Sequence, residues 1–277
     1  MSEIITFPSR MKVEMRGRSI SELRETLKGF RDSICESHTA ALEGATVRLV
    51  EIGDYPEGRI VAEDGVGVNW LKVTTEDRLF GLMATRIISF DKGANYQMEC
   101  TCARCDKPYI RKVDLRPIDE GGEILVWNLE GEENLKRFKD GNPFEGKLRD
   151  KLIKWRMAYG EDEALIEKVS QSNPNAKTDD LTLRARIIEV EGLNNNDIMS
   201  WLSGLGDERI DLQDMMAETT HGVDLVVDTK CAWCHAAQEA AIPFDLEFWI
   251  PMVAAERNRR RRRRDKALLN QATKQGQ

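Results

Sequence analysis

Two Cys-x-x-Cys motifs constrain this chain more than any other feature. The first comprises Cys102 and Cys105, and the second, Cys231 and Cys234, begins 129 residues after the first. Each motif supplies two thiolates, which is half of the ligand set of a tetrahedral four-cysteine metal site. The sequence therefore predicts one structural zinc ion per chain, held jointly by Cys102, Cys105, Cys231 and Cys234.

The two motifs lie in longer segments that resemble each other. Matching residues keep the same order and are 138, 131, 131, 129 and 131 residues apart, in the pairs Arg48 and Arg186, Trp70 and Trp201, Glu76 and Asp207, Cys102 and Cys231, and Asp114 and Asp245. This pattern indicates a tandem duplication. It predicts a first half over residues 1–130, a second half over 131–250 and a basic C-terminal helix or tail over 251–277.

The hydrophobic periodicity predicts a similar series of elements in both halves. In the first half it favours a strand at residues 12–15, one long helix at 21–42, a strand at 47–52 and a helix that Thr74 and Asp77 cap. In the second half it favours a strand at 152–157, a helix after Gly160, a strand at 181–190 and helices near residue 197 and after Asp207. We expect an α+β fold in which Trp70 and Trp201 occupy matching core positions.

Each Cys-x-x-Cys motif is flanked by alternating apolar and polar residues, which is typical of a β-hairpin with the cysteines at its tip. Such zinc-ribbon turns favour a residue with a positive φ directly after the second cysteine. Asp106 and His235 occupy these positions, and aspartate and histidine are among the few residue types other than glycine that are enriched there.

Several other interpretations of the cysteines compete with a shared zinc site. Cys100 is a possible additional ligand, although its spacing favours a place on the hairpin strand, and Cys35 has the pattern of a buried apolar residue. Cys231 to His235 also fits the motif for covalent haem attachment, but that would leave the first motif unexplained. The cysteines of a thioredoxin-like redox pair would be expected at the start of a helix, whereas here each motif lies between predicted strands.

The sequence contains no recognisable enzyme motif. Walker loops, dinucleotide-binding glycine motifs, nucleophile elbows and His-Glu-x-x-His motifs are absent. His221 precedes Cys231 by ten residues and is a possible catalytic group, but a polar residue at a helix end is the simpler interpretation. Four thiolates would also fill the coordination shell of zinc. We therefore expect no catalytic residues and no organic cofactor.

Charge is distributed unevenly along the chain. The net charge is -7, but residues 257–277 carry +8, so residues 1–256 carry -15. This asymmetry favours a role for the run Arg259, Arg260, Arg261, Arg262, Arg263 and Arg264 in contacting an acidic protein. The alternatives are nucleic-acid binding and a solvated tail. No apolar run approaches ~20 residues, so we expect no membrane partner and a cytoplasmic location.

The duplicated plan, the two Cys-x-x-Cys hairpins, the segment Thr75 to Leu79 and the aromatic residues Phe244, Phe248 and Trp249 resemble baseplate proteins of T-even-like contractile-tailed bacteriophages. The resemblance covers roughly residues 5–250. It implies a non-enzymatic structural component of the tail baseplate or hub, or a factor that assembles it. Such a protein would contact other tail proteins and lie in the virion, after assembly in the host cytoplasm. A zinc-ribbon nucleic-acid-binding protein is the alternative.

Overall fold

The computed structural model describes residues 2–29, 33–90, 96–173, 176–243 and 248. The described residues from 2 to 242 form one compact unit, the first unit of the chain. The first unit mixes helices with small antiparallel sheets, as expected for an α+β protein. Within the described ranges, no helix has both the length and the apolar character needed to cross a membrane.

The first half of the compact unit begins with a three-stranded sheet. Its elements are β1 (Ser2–Thr6), β2 (Lys12–Arg16), α1 (Ile20–Gly29), α2 (Ile34–Ala45), β3 (Thr46–Glu51), a 3₁₀ turn (Trp70–Lys72), α3 (Thr75–Ser89), β4 (Tyr96–Thr101), β5 (Pro108–Val113), a second 3₁₀ turn (Ile118–Glu120) and β6 (Leu125–Trp127). A short helix, α4 (Glu132–Lys139), follows at the start of the predicted second half.

The second half repeats much of this order. Its elements are β7 (Phe144–Leu148), β8 (Lys151–Trp155), α5 (Gly160–Ser172), α6 (Thr178–Arg186), β9 (Ile187–Val190), α7 (Ile198–Ser203), α8 (Glu208–Ala217), β10 (Gly222–Asp224), β11 (Val226–Lys230) and β12 (Ala237–Ala241). The sheets β1-β2-β3 and β7-β8-β9 each contain a hairpin and, after two helices, a third strand. Strands β4 and β5, β11 and β12, and β6 and β10 form three antiparallel pairs.

The two three-stranded sheets have a β-bulge at the same place. In the first sheet, Glu14 lies opposite Arg48, and the next residue of β2 lies opposite Thr46, so Val47 has no partner. In the second sheet, Lys154 lies opposite Glu189, and the next residue of β8 lies opposite Ile187, so the bulge falls at residue 188. Both cross-strand pairs are ion pairs, with the order of the charges reversed.

This register corrects the sequence alignment at the third strand. Arg48 corresponds in the sheet to Glu189, whereas the alignment matched Arg48 with Arg186, the last residue of helix α6. The predicted strand at 181–190 was therefore wrong over residues 181–186. Aspartates 179 and 180 lie in the first turn of α6, where they interact favourably with the helix dipole.

The predicted helix at 21–42 is also wrong, because the structure contains two helices there. Ser33 has an extended backbone and caps α2, and its hydroxyl accepts a hydrogen bond from the N–H of Glu36. A carboxylate from the second half completes the cap. Glu167 of α5 accepts hydrogen bonds from the hydroxyl of Ser33 and from the N–H groups of Ile34 and Cys35, at 2.7, 2.6 and 3.2 Å.

Helix α3 joins the two halves. Thr74 caps it as predicted, with the Asp77 N–H donating to the Thr74 hydroxyl. Arg78 is 1% exposed and donates to the carbonyl oxygen of Trp70 in its own half and to the carboxylate of Glu163 in α5. Because unpaired charges are costly to bury, these contacts fix the position of α3 between the halves.

Candidate metal centre

The four predicted ligands lie at the tips of two hairpins. Cys102 and Cys105 lie in the turn between β4 and β5, and Cys231 and Cys234 lie in the turn between β11 and β12. Both hairpins form where apolar and polar residues alternate along the sequence. No helix begins at either motif, in contrast to the arrangement expected of a thioredoxin-like redox pair.

The structure brings the four sulfur atoms together. All four Sγ atoms lie within 4.8 Å of one another. Between the two hairpins, the Sγ atom of Cys102 lies 3.6 Å from that of Cys234, and the Sγ atom of Cys105 lies 3.7 Å from that of Cys231. Tetrahedral coordination with bonds of about 2.3 Å to zinc would place the sulfur atoms about 3.8 Å apart. The cluster therefore has the dimensions needed to hold a metal ion.

The backbone of the two turns is nearly identical. Cys102 and Cys231 each accept a hydrogen bond at their Sγ atom from the N–H two residues later, at 3.4 and 3.3 Å. Asp106 and His235 have φ angles of 53° and 58°, so the predicted positive φ is confirmed at both positions. Each of these residues donates its N–H to the carbonyl oxygen of the first cysteine of its motif.

Side chains bind the two hairpins to each other around the sulfur cluster. Gln238 donates to the hydroxyl of Tyr109 at 3.0 Å and accepts from the N–H of Ala103. The hydroxyl of Tyr109 also lies 3.2 Å from that of Thr229. Trp233 donates from its indole N–H to the carbonyl oxygen of Pro108. The hairpins thus form one unit even apart from a metal ion.

The surroundings of the sulfur atoms shift the pKa values of two of the thiols in opposite directions. Burial opposes ionisation of Cys231, but the N–H groups of Cys234 and Trp233 and the neighbouring thiols outweigh it and lower its pKa to about 6. At Cys105 the N–H of Lys107 acts in the same direction, but burial and the three other thiols raise its pKa to about 12. A cluster in which one thiolate forms readily is suited to begin binding a cation.

The remaining cysteines lie outside the metal-ligand group. Cys100 is buried in β4 opposite Tyr109, and burial raises the pKa of its thiol. Cys35 is buried in the first turn of α2, with its sulfur 3.7 Å from the guanidinium of Arg78. Among the described residues, the only group of three or more candidate ligands is the four-cysteine cluster.

Comparisons with known proteins identify no relative. No family model, curated protein or solved structure matches this chain.

His221 belongs to a different site from the cysteine cluster. Its side chain is fully buried, with Nε2 2.9 Å from the hydroxyl of Thr74 and 3.4 Å from Oδ1 of Asp77. The hydroxyls of Tyr55 and Ser9 donate to the same carboxylate. The spacing of Thr74 and Asp77 predicted only their capping role, since the other three residues come from distant segments.

The arginine run 259–264 and the aromatic residues Phe244 and Trp249 lie outside the described residues. The proposed contact between the basic segment and an acidic protein therefore stays a prediction.

Proposed function

We propose that this protein is a non-enzymatic structural adaptor whose four cysteines hold one zinc ion. The observation that carries the proposal is the cluster of four sulfur atoms contributed equally by two hairpins. Four thiolates complete the tetrahedral shell of zinc and leave no position for a substrate or a reactive water, which is the arrangement of structural sites. The ion would connect residues more than a hundred positions apart and so hold the two halves in a fixed arrangement.

The repeated order of elements supports descent from a duplicated unit. Both halves contain a hairpin, two helices, a third strand with a bulge, a further helical segment and a cysteine hairpin. A duplicated protein presents two related surfaces to its surroundings, which suits a part that connects two neighbours. In the assembly we propose, these neighbours are proteins of a contractile phage tail baseplate or hub, in line with the resemblance of the hairpins and of residues 75–79 to that family.

Metal analysis tests the zinc site directly. Protein purified without chelator should contain one zinc ion per chain by elemental mass spectrometry. Cys102→Ser and Cys234→Ser should each lose the metal and lower the melting temperature, because binding at such sites contributes on the order of 10 kcal/mol to folding. Cys35→Ser is the matched control, since Cys35 is buried outside the cluster. A well-folded wild-type protein with almost no metal would contradict the proposal.

Assembly tests the adaptor role separately. Co-expression with baseplate and hub proteins of a contractile phage tail should yield a complex that survives purification, and Cys234→Ser should reduce its yield. Truncation after Glu256 should leave the zinc content unchanged but weaken the complex in a salt-dependent manner, because contacts made by the arginine run are electrostatic. Tail-dependent binding to nucleic acid at physiological salt, with the complex unaffected by truncation, would favour the nucleic-acid-binding alternative instead.

A further inference from the structure

Gln238, in strand β12 of the second cysteine hairpin, contacts the backbone of the first hairpin. Its amide nitrogen Nε2 donates hydrogen bonds to the carbonyl oxygen of Thr101 at 3.2 Å and to the hydroxyl of Tyr109 at 3.0 Å. Its amide oxygen Oε1 accepts a hydrogen bond from the N–H of Ala103 at 3.0 Å. Thr101 and Ala103 directly precede and follow Cys102, so one side chain binds the backbone on both sides of that cysteine.

The two backbone partners require the chemistry of a primary amide. The carbonyl oxygen of Thr101 can only accept a hydrogen bond, and the N–H of Ala103 can only donate one. The side chain that satisfies both must therefore carry a donor and an acceptor, as the amide of Gln238 does. An ionised carboxylate would satisfy only Ala103, and an ammonium group would satisfy only Thr101.

The second cysteine turn lacks an equivalent of this contact. Tyr109 occupies the position in the first hairpin that corresponds to Gln238, since each lies four residues after the second cysteine of its motif. Its phenol does not reproduce the paired bonds of an amide, and within the described part of the chain the N–H of Ala232, the counterpart of Ala103, has no hydrogen-bond acceptor. The paired bonds therefore act on the first turn alone.

We propose that Gln238 is a positioning residue of the zinc site, which holds the turn around Cys102 in its metal-binding geometry. Gln238 is not one of the four ligands and acts through Cys102. A turn that is already ordered loses less conformational entropy when the ion binds, so its order increases the affinity for zinc. This inference rests on the proposed zinc site and deepens it by naming a residue that sets the affinity.

Two variants separate positioning of Cys102 from general contact between the hairpins. Gln238→Met removes the amide but keeps an unbranched side chain of similar size. Tyr109→Phe is the matched control, because it removes the hydroxyl that contacts Gln238 and Thr229 and leaves the two backbone bonds around Cys102 in place. A purely structural role of Gln238 predicts similar zinc affinities for the two variants.

Equilibrium competition for zinc between the full-length protein and a chromogenic chelator measures the affinity of each variant. Gln238→Met should weaken zinc binding by about 10–100-fold, the usual effect of replacing a residue that orients a metal ligand. Tyr109→Phe should bind zinc nearly as tightly as the wild type. Thr101 and Ala103 are exposed, so water can replace the bonds of the amide and Gln238→Met should still fold.

Amide hydrogen exchange of the zinc-loaded protein supplies a readout that a general loss of stability does not move. In the wild type the N–H of Ala103 should exchange more slowly than that of Ala232, because only the first has an acceptor. Gln238→Met should abolish this difference, and Tyr109→Phe should retain it. The comparison within the wild type does not depend on the folding of any variant.

Two results would overturn the inference. One is an equal zinc affinity of Gln238→Met and Tyr109→Phe, and the other is equal exchange of Ala103 and Ala232 in the wild type. Both are compatible with one zinc ion per chain, so they leave the proposed metal site intact. A wild-type protein that binds no zinc would instead overturn the metal site together with this inference.

Discussion

The junction between the first hairpin turn and α3 is closed and buried, whereas the junction between the β7–β8 turn and α8 is open. In the first, Trp70 is 1% exposed and Asp77 is fully buried within a network of hydroxyl groups. In the second, Trp201 is half-buried and Glu208 pairs with Arg149, whose side chain is 71% exposed. A turn that contains a left-handed arginine thus lies beside a core region in one half and beside a surface region in the other.

The largest expected difference concerns the two tryptophans. Trp70→Ala should lower the free energy of unfolding by about 3–5 kcal/mol, the usual range for truncating a buried tryptophan. Trp201→Ala should lower it by roughly 1 kcal/mol or less, because Trp201 already contacts solvent. Urea unfolding of both zinc-loaded variants measures this difference. Similar losses would show that the second junction is closed in solution.

The next largest expected difference is between the costs in unfolding free energy of replacing the carboxylates of Asp77 and Glu208. Asp77 accepts a 2.8 Å hydrogen bond from Tyr55 and hydrogen bonds from both the N–H and the hydroxyl of Ser9, all in a buried site. Asp77→Asn places an amide among these donors and should cost about 3 kcal/mol. Glu208→Gln removes a pair whose arginine is exposed and should cost less than about 1 kcal/mol.

Measurement of both variants by chemical unfolding in the same buffer tests the comparison. Ser9→Ala supplies a control, because it removes one donor from the buried carboxylate without removing the carboxylate. Its cost should lie between those of the two acid variants. A cost for Glu208→Gln equal to that for Asp77→Asn would contradict the division into a closed and an open junction.

The halves should also differ in their response to pH. Burial and the nearby charge of Arg78 lower the pKa of His38 to about 4, from an ordinary value of 6.5. Since the unfolded chain binds this proton more readily, the stabilisation is fully present above about pH 6.5 and is lost as the pH falls toward 4. The second half has exposed Asp179 in the same place, eight residues before its third strand.

His38→Gln should therefore flatten the decline in unfolding free energy between pH 6.5 and 4, by on the order of 2 kcal/mol. Asp179→Asn is the matched control and should leave the slope in this interval nearly unchanged. The measurement is a series of urea titrations across the interval. An equal slope for wild type and His38→Gln would show that the histidine is equally basic in the folded and unfolded chains.

Local signals in the sequence were sufficient to predict the cysteine hairpins. The alternation around each motif predicted the strands, and the residue after each second cysteine predicted the positive φ of Asp106 and His235. Thr74 was likewise recognisable as a helix cap from its spacing to Asp77. In each of these cases the determining interactions connect residues only a few positions apart, so a single segment contains the information.

Interactions between distant segments account for the failures. The break before α2 is stabilised by Glu167, 133 residues after Ile34, and no local pattern reveals such a partner. Trp201 was expected in the core because it matches Trp70, but burial of Trp70 depends on Phe7 from a turn that differs in the second half. The alignment of the two halves was shifted by three residues at β9, because similar residues perform different roles in them. Arg48 lies in a strand, whereas Arg186 lies at a helix end.

The smallest expected effect concerns the cysteine turns, where the two halves are most alike. Asp106→Gly and His235→Gly each remove a Cβ atom from a left-handed position, which favours the folded state, but glycine also gains entropy in the unfolded chain. Each should therefore raise the unfolding free energy of the zinc-loaded protein by only about 0.5 kcal/mol. Ala103→Gly and Ala232→Gly, at exposed turn positions without a positive φ, should instead lower it by up to about 1 kcal/mol. Opposite signs for Asp106→Gly and His235→Gly would show that the two turns differ despite their shared geometry.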